Sequence, residues 1–115
     1  MVERTVILGV PPPPVAWLVI RAGSRSGKEF RLGEQTTIGR DALVCDFVLD
    51  DESASAQHAR IKEERGQWVL YDLASTNGTF LNGQKIQRAP LTDGDVIRIG
   101  LTTMVFKEVK SQRKE

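Results

Sequence analysis

Four short polar clusters hold the residues of this sequence that could bind a ligand. They are Gly39-Arg40, residues 53–58 (SASAQH), residues 75–79 (STNGT) and Asn82-Gly83. Together they supply one guanidinium, several hydroxyls, amide side chains, and glycines that let backbone N–H groups approach a bound group closely. A phosphate suits this set, because it offers three acceptor oxygens and a charge of about −1.5 to −2, and arginine meets it with a planar fork of donors. The clusters together indicate an oxyanion site, although each one alone is more typical of an ordinary loop.

Ser55 and His58 raise a second possibility, nucleophilic catalysis by a hydrolase. Residues three apart in an extended strand point to opposite faces, so His58 is badly placed to take a proton from Ser55. A serine nucleophile also needs an oriented base and an oxyanion hole, and no G-x-S-x-G motif surrounds Ser55. We therefore expect no enzyme activity and interpret His58 as a buried, hydrogen-bonded structural residue.

Three consecutive carboxylates, Asp50, Asp51 and Glu52, could suggest a metal site. Their spacing lacks the D-x-D-x-D-G pattern of a calcium loop, and a chain with one histidine and one cysteine cannot build a histidine-rich site. The run is more typical of a solvated acidic turn. The sequence predicts no bound metal and no cofactor.

The overall composition limits the classes of partner. The 115 residues carry 16 lysines and arginines against 15 aspartates and glutamates, a net charge of +1, so no global charge attracts nucleic acid or an acidic membrane. No stretch approaches the ~20 apolar residues that span a bilayer, no secretory leader is recognisable, and the single Cys45 cannot form an internal disulfide. These features predict one cytoplasmic domain that binds neither nucleic acid nor membrane.

Short segments rich in β-branched and aromatic residues recur between turn signals, and no segment keeps a helical period. Asn82-Gly83 is the strongest hairpin signal, because both central residues of a type I′ turn need positive φ. The predicted strands cover residues 16–21, 29–32, 58–64, 67–73, 79–81, 85–86, 96–99 and 102–109. Roughly ten short strands in a chain of this length predict an all-β sandwich or barrel.

Both ends of the chain differ from this pattern. Residues 1–14 end in four consecutive prolines, Pro11 to Pro14, and predict a flexible tail with a polyproline linker. Residues 110–115 (KSQRKE) are polar and charged and predict a second tail. The folded domain is therefore expected over residues 15–109.

The order of the four clusters resembles the forkhead-associated (FHA) domain family, whose pattern is G-R, then S-x-x-H, then S/T-x-N-G-T followed by N-G. The resemblance covers residues 16–108. It implies an all-β sandwich of the SMAD/FHA-like type, with two sheets and about 11 strands. It also implies that loops at one end bind phosphothreonine peptides, and that the module is an adaptor in Ser/Thr kinase signalling.

The resemblance also implies roles for single residues. Arg40 would bind the phosphate. Ser55 and Thr76 would hydrogen-bond to it, while Asn77 would hold the peptide backbone beside the phosphothreonine. Further matched positions would support the shape of the binding loops: Gly39, His58, Gly78 and Asn82.

Two departures from the family pattern bear on binding. Many members carry a base directly after the serine of S-x-x-H or next to that position, where this chain has Ala56 and Gln57, so the Ala56 amide or Gln57 would be a weaker substitute. Ser53 stands where some members have an arginine that reads an acidic residue three after the phosphothreonine, so we expect an apolar or undemanding residue there. The missing base leaves an alternative open, a structural or dimerising β-sandwich with a weakened or vestigial phosphate site.

Thr5 is a candidate regulatory phosphosite in the N-terminal tail, followed three residues later by the apolar Leu8. If a kinase modified Thr5, the tethered tail would compete for the site of its own domain or of a second copy. The predicted partners are a phosphothreonine-containing protein or this phosphorylated tail, in a Ser/Thr protein kinase pathway.

Overall fold

The computed structural model describes residues 15–109, and all of the regular structure in that part of the chain is β-strand. The strands are β1 (Val15–Ala22), β2 (Glu29–Arg31), β3 (Gln35–Gly39), β4 (Phe47–Val48), β5 (Ala59–Glu64), β6 (Gln67–Asp72), β7 (Thr79–Leu81), β8 (Gln84–Ile86), β9 (Arg88–Pro90), β10 (Val96–Ile99) and β11 (Thr102–Val109). The described residues include no helix that could span a membrane. The two predicted tails lie outside the described residues, and the domain boundaries stay a prediction.

The strands form two sheets. One has six strands in the order β2-β1-β11-β10-β7-β8, and the other has five in the order β4-β3-β5-β6-β9. Strand neighbours are antiparallel except for β3 and β4, which run parallel. The connections after β3, β4 and β6 leave their sheet at one end, and they carry three of the polar clusters.

Alternation along the strands builds the core between the two sheets. In β1 the side chains of Ala16, Leu18 and Ile20 are buried while those between them are partly exposed, as the period of two requires. Large buried side chains come from both sheets: Leu18, Ile97, Ile99, Met104 and Phe106 from the first, and Ile38, Phe47, Ile61 and Leu70 from the second. Each one stabilises the fold by about 1.5 to 3 kcal/mol through burial, so this layer sets the positions of the loops.

The predicted all-β sandwich is confirmed, and so is the hairpin at Asn82-Gly83, where φ is +50° and +87°. The strands named from the sequence omit β3, β4 and β9. Four of the five residues of β3 are buried, so it does not alternate, and β4 has only two residues. β9 contains Pro90, which would interrupt a central strand but is tolerated here at the edge of the five-stranded sheet.

Candidate functional site

Three loops and one tight turn meet at one end of the sandwich. The loops are residues 40–46 after β3, residues 49–58 after β4 and residues 73–78 after β6, and the turn at residues 100–101 joins β10 to β11. The loop of residues 49–58 contacts the other three. Its Ser55 carbonyl accepts from the Arg40 N–H at 3.0 Å, and its Ser55 Oγ accepts from the Thr76 N–H at 3.0 Å. Its Asp51 Oδ2 accepts from the Leu101 N–H at 2.8 Å, which joins the turn to the same loop.

Arg40 is exposed at the junction of these loops. Its Nε donates to the carbonyl of Ala54 at 2.9 Å, which anchors the guanidinium, and the two terminal nitrogens carry further N–H donors. Within residues 15–109 no carboxylate forms an ion pair with it. The guanidinium is thus held in place by an uncharged partner, and its positive charge is available to an anion.

Ser55, Thr76 and Asn77 line the same junction. Because the Ser55 oxygen accepts the Thr76 N–H, its own hydroxyl hydrogen can be donated to a ligand. The Asn77 Nδ2 donates to the Ser53 carbonyl at 2.9 Å, which orients the amide and leaves its oxygen as an acceptor. Thr76 and Asn77 are exposed. The structure therefore brings together Arg40, Ser55, Thr76 and Asn77, four of the six residues expected to contact a phosphopeptide.

His58 is fully buried beneath them. Its Nδ1 accepts from the Ser55 N–H at 2.9 Å, so Nε2 carries the hydrogen and donates to the Gly78 carbonyl at 2.9 Å. The neutral ring thus joins two of the loops. Since both ring nitrogens are engaged with backbone groups, neither is placed to take a proton from the Ser55 hydroxyl, which argues against the hydrolase.

Gly39 and Gly78 allow close approach of the chain at this end. A Cβ at Gly39 would lie 2.3 Å from the Ala56 oxygen and 2.9 Å from the Cys45 Sγ. Gly78 has a φ of +92°, a conformation that side chains disfavour, and a Cβ there would lie 2.8 Å from the Lys85 Cε. Glycine at both positions follows from the packing of the loops.

Ala56 and Gln57 connect the loop of residues 49–58 to the loop after β3. The Ala56 carbonyl accepts from the Asp41 N–H at 3.2 Å and from the Cys45 thiol at 2.9 Å. The Gln57 amide donates to the Val44 carbonyl at 3.4 Å. Both residues are exposed, so a ligand could reach the Gln57 side chain or the Ala56 backbone.

The expectation of a solvated acidic turn is wrong for Asp51, which is 7% exposed, whereas Asp50 and Glu52 are exposed. It accepts hydrogen bonds from Ser53, from the Leu101 N–H and from the Thr102 hydroxyl at 2.7 Å. Burial by itself would raise the pKa of Asp51, but the hydrogen bonds from Ser53, Thr102 and Leu101 outweigh it and hold the pKa below its ordinary value. Asp51 is a structural anion that ties the loop to the β10–β11 turn.

Asp72 plays a similar part in the loop after β6. Its Oδ1 accepts from the hydroxyls of Ser75 and Thr79, both at 2.6 Å, and the Ser75 oxygen accepts from the Gly78 N–H at 2.9 Å. Burial opposes ionisation, yet the hydrogen bonds from Ser75 and Thr79 hold the pKa of Asp72 below its ordinary value. This network shapes the loop that carries Thr76 and Asn77.

The lowered pKa values predict a loss of stability in acid. Because the folded state binds these protons less readily than the unfolded chain, ionised Asp51 and Asp72 stabilise the fold above pH ~4, and their contribution is lost as the pH falls toward the folded pKa values. We expect Asp51→Asn to cost about 1 to 3 kcal/mol at pH 7 and to flatten the fall in Tm below pH ~4. Thermal unfolding across that range tests this, with the exposed Glu29→Gln as control, and an equally steep fall in Asp51→Asn would contradict it.

Asn82 lies at the other end of β7 from these loops. Its Oδ1 accepts from the Val96 N–H at 2.9 Å, and its Nδ2 donates to the Asp95 carboxylate at 3.1 Å. It holds the start of β10 against the β7–β8 hairpin, so any support of the binding loops is indirect.

Thr5, the candidate phosphosite, lies outside the described residues, and its role stays a prediction.

Sequence comparison places the chain among known proteins. The family model of the FHA domain matches residues 36–100. The glycogen accumulation regulator GarA of Mycolicibacterium smegmatis is 35% identical over 95 residues, which are 83% of this chain and 60% of GarA. The chain therefore spans somewhat under two thirds of the length of that relative.

Solved structures agree with the sequence comparison. The FHA domain of the CT664 protein from Chlamydia trachomatis matches with a TM-score of 0.77 and 31% identity, over 84% of this chain and 99% of that one. Mycobacterium tuberculosis EmbR, in complex with a low affinity phosphopeptide, matches with a TM-score of 0.75 and 32% identity, over 88% of this chain and 26% of EmbR. With a family match over more than half of its residues and relatives of this similarity, the chain belongs to the forkhead-associated (FHA) domain family.

Proposed function

We propose that the loops at this end of the sandwich bind a phosphothreonine-containing segment of a partner protein, and that the domain is a non-catalytic adaptor in Ser/Thr kinase signalling. The observation that carries the proposal is the exposed Arg40 guanidinium, fixed through Nε beside the Ser55 hydroxyl and Thr76. The complex of the related EmbR with a phosphopeptide supports the ligand class. We propose that the domain binds this partner protein in the cytoplasm.

In the proposed complex, each polar side chain at the junction contacts a different part of the phosphopeptide. The two terminal nitrogens of Arg40 donate to two phosphate oxygens, and the Ser55 hydroxyl and Thr76 serve the remaining oxygens. The Asn77 oxygen accepts a backbone N–H of the peptide, since its Nδ2 is engaged by the Ser53 carbonyl. Gly39, His58 and Gly78 act through the loop shape.

The positions after Ser55 make this a site of modest affinity. Ala56 and Gln57 add no positive charge, so one charge-assisted hydrogen bond of about 1.5 to 3 kcal/mol is missing compared with a site that carries a base there. Gln57 is tied to Val44 and offers at most a neutral contact. Binding consequently depends on Arg40 for its charge.

An oriented library of phosphothreonine peptides tests the proposal, with unphosphorylated and phosphoserine versions of the selected peptides as controls. We expect binding to require the phosphate, with phosphoserine at least ~4-fold weaker than phosphothreonine, because burial of one methyl group contributes about 0.8 kcal/mol. Equal binding of unphosphorylated peptides would contradict the proposal and favour the structural or dimerising module.

A further inference from the structure

The outer face of the six-stranded sheet carries a second cationic feature beside the loops. In the strand register Phe80 of β7 lies opposite Lys85 of β8 on one side and Arg98 of β10 on the other. The Arg98 guanidinium lies 4.2 Å from the centre of the Phe80 ring, within the range of a cation–π contact. Both cations are exposed. We call Lys85, Phe80 and Arg98 the cationic ledge.

The ledge is continuous with the candidate site. The Lys85 side chain folds across Gly78, with its Cε 2.8 Å from the point that a Cβ at Gly78 would occupy, and Gly78 follows Asn77 directly. On the other side, the Arg98 Nη1 donates to the Gly100 carbonyl at 3.2 Å, in the turn that Asp51 ties to the loop of residues 49–58. A peptide that leaves the phosphate site over Asn77 therefore meets the ledge next.

Among the described residues, no ion pair involves the cations of the ledge. The ion pairs found between residues 15 and 109 join Arg88 to Glu64 and Lys107 to Asp93, and neither Lys85 nor Arg98 takes part in one. Two like charges on either side of one ring repel each other, and the Phe80 face supplies only a weak attraction. Two exposed positive charges thus stand on either side of Phe80, in a chain whose net charge is only +1.

We propose that the cationic ledge recognises acidic side chains of the bound phosphoprotein segment, on the stretch that passes over Asn77. The inference rests on the proposed function, since the phosphate on Arg40 sets where that stretch runs. Ser53 offers no charge to the third residue after the phosphothreonine. The side chains of an extended peptide alternate in direction. We therefore expect the acidic residues at every second position of the peptide, counted from the phosphothreonine.

Three phosphothreonine peptides in an alanine background test this. One has no acidic residue, one has glutamate at the second and fourth positions before the phosphothreonine, and one has glutamate at the second and fourth positions after it. Affinities are measured at low salt and at about 0.5 M salt, where exposed charge pairs are screened. The proteins are the wild type, the double variant Lys85→Gln/Arg98→Gln, and a control double variant Lys28→Gln/Arg31→Gln. The control removes the same charge at the other side of the sheet, from Arg31 of the edge strand β2 and from Lys28, the residue before that strand.

The wild type is expected to bind one of the two acidic peptides about three- to tenfold more tightly than the alanine peptide at low salt. This gain over the alanine peptide should vanish in Lys85→Gln/Arg98→Gln and at high salt, and persist in Lys28→Gln/Arg31→Gln. Affinity for the alanine peptide itself should be the same in all three proteins at high salt, where long-range attraction to the phosphate is screened. If the alanine peptide binds and neither acidic peptide binds better, or if the gain survives in Lys85→Gln/Arg98→Gln, the ledge proposal is wrong and the proposed function stands. If folded wild type binds no phosphopeptide, both are wrong.

Discussion

Replacing Arg40 with alanine is expected to weaken the binding of a phosphothreonine peptide by about 100-fold or more. Two charge-assisted hydrogen bonds to phosphate contribute about 1.5 kcal/mol or more each, and no other cation stands at positions 56 and 57 to take their place. Thermal stability should change little, since the side chain is exposed and, among residues 15–109, gives up one hydrogen bond, to the Ala54 carbonyl. Isothermal titration calorimetry and a thermal melt measure the two effects.

Arg60→Ala is the matched control for this prediction. Arg60 lies on β5 and also bonds through Nε to a single neutral acceptor, the Thr37 hydroxyl at 3.1 Å, but it is not part of the loop junction. Its loss should leave peptide affinity unchanged. Arg40→Lys should fall between the wild type and Arg40→Ala, because lysine keeps the charge and lacks the planar fork. Affinity within threefold of the wild type in Arg40→Ala would overturn the assignment of the phosphate site.

The residues of the candidate site could be predicted because their order along the chain resembles the pattern of the FHA family. Glycine, serine and asparagine at fixed spacings mark the ends of strands, while the apolar run of β1 and the alternation of β5 mark the strands themselves. The six residues expected to contact the ligand do meet at one end of the sandwich. Their contacts with a phosphopeptide stay predictions.

The features of the structure that could not be predicted depend on contacts between residues far apart in sequence. Asp51 is buried because it accepts from Leu101 and Thr102, about fifty residues later, and nothing next to it distinguishes it from Asp50. The ledge likewise exists only in the register that sets Lys85 and Arg98 on either side of Phe80. Local periodicity identifies a strand, but it does not say which strand will be its neighbour.

Gly39→Ala is expected to produce the largest loss of stability among the variants considered. The added Cβ would stand 2.3 Å from the Ala56 oxygen, which is backbone, and 2.9 Å from the Cys45 Sγ. Relief requires the loops after β3 and β4 to separate, against the hydrogen bonds from Arg40 N–H to Ser55 and from Leu49 N–H to the Gly39 carbonyl at 2.8 Å. Overpacking of this kind costs about 2 to 3 kcal/mol, or on the order of 10 to 20 °C in Tm for a domain of this size.

Gly33→Ala is the control for that substitution, because a Cβ there meets nothing within 4 Å. It should change the stability by no more than about 0.5 kcal/mol. In Gly39→Ala the affinity for a phosphothreonine peptide should fall as well, at a temperature where the variant is still folded, since separation of the loops moves Arg40 away from Ser55 and Thr76. A Gly39→Ala protein as stable as Gly33→Ala would mean that the loops after β3 and β4 separate at little cost in free energy. The position of Arg40 would then depend on the Ala54 bond and the ligand, and the close packing beneath it would contribute little to binding.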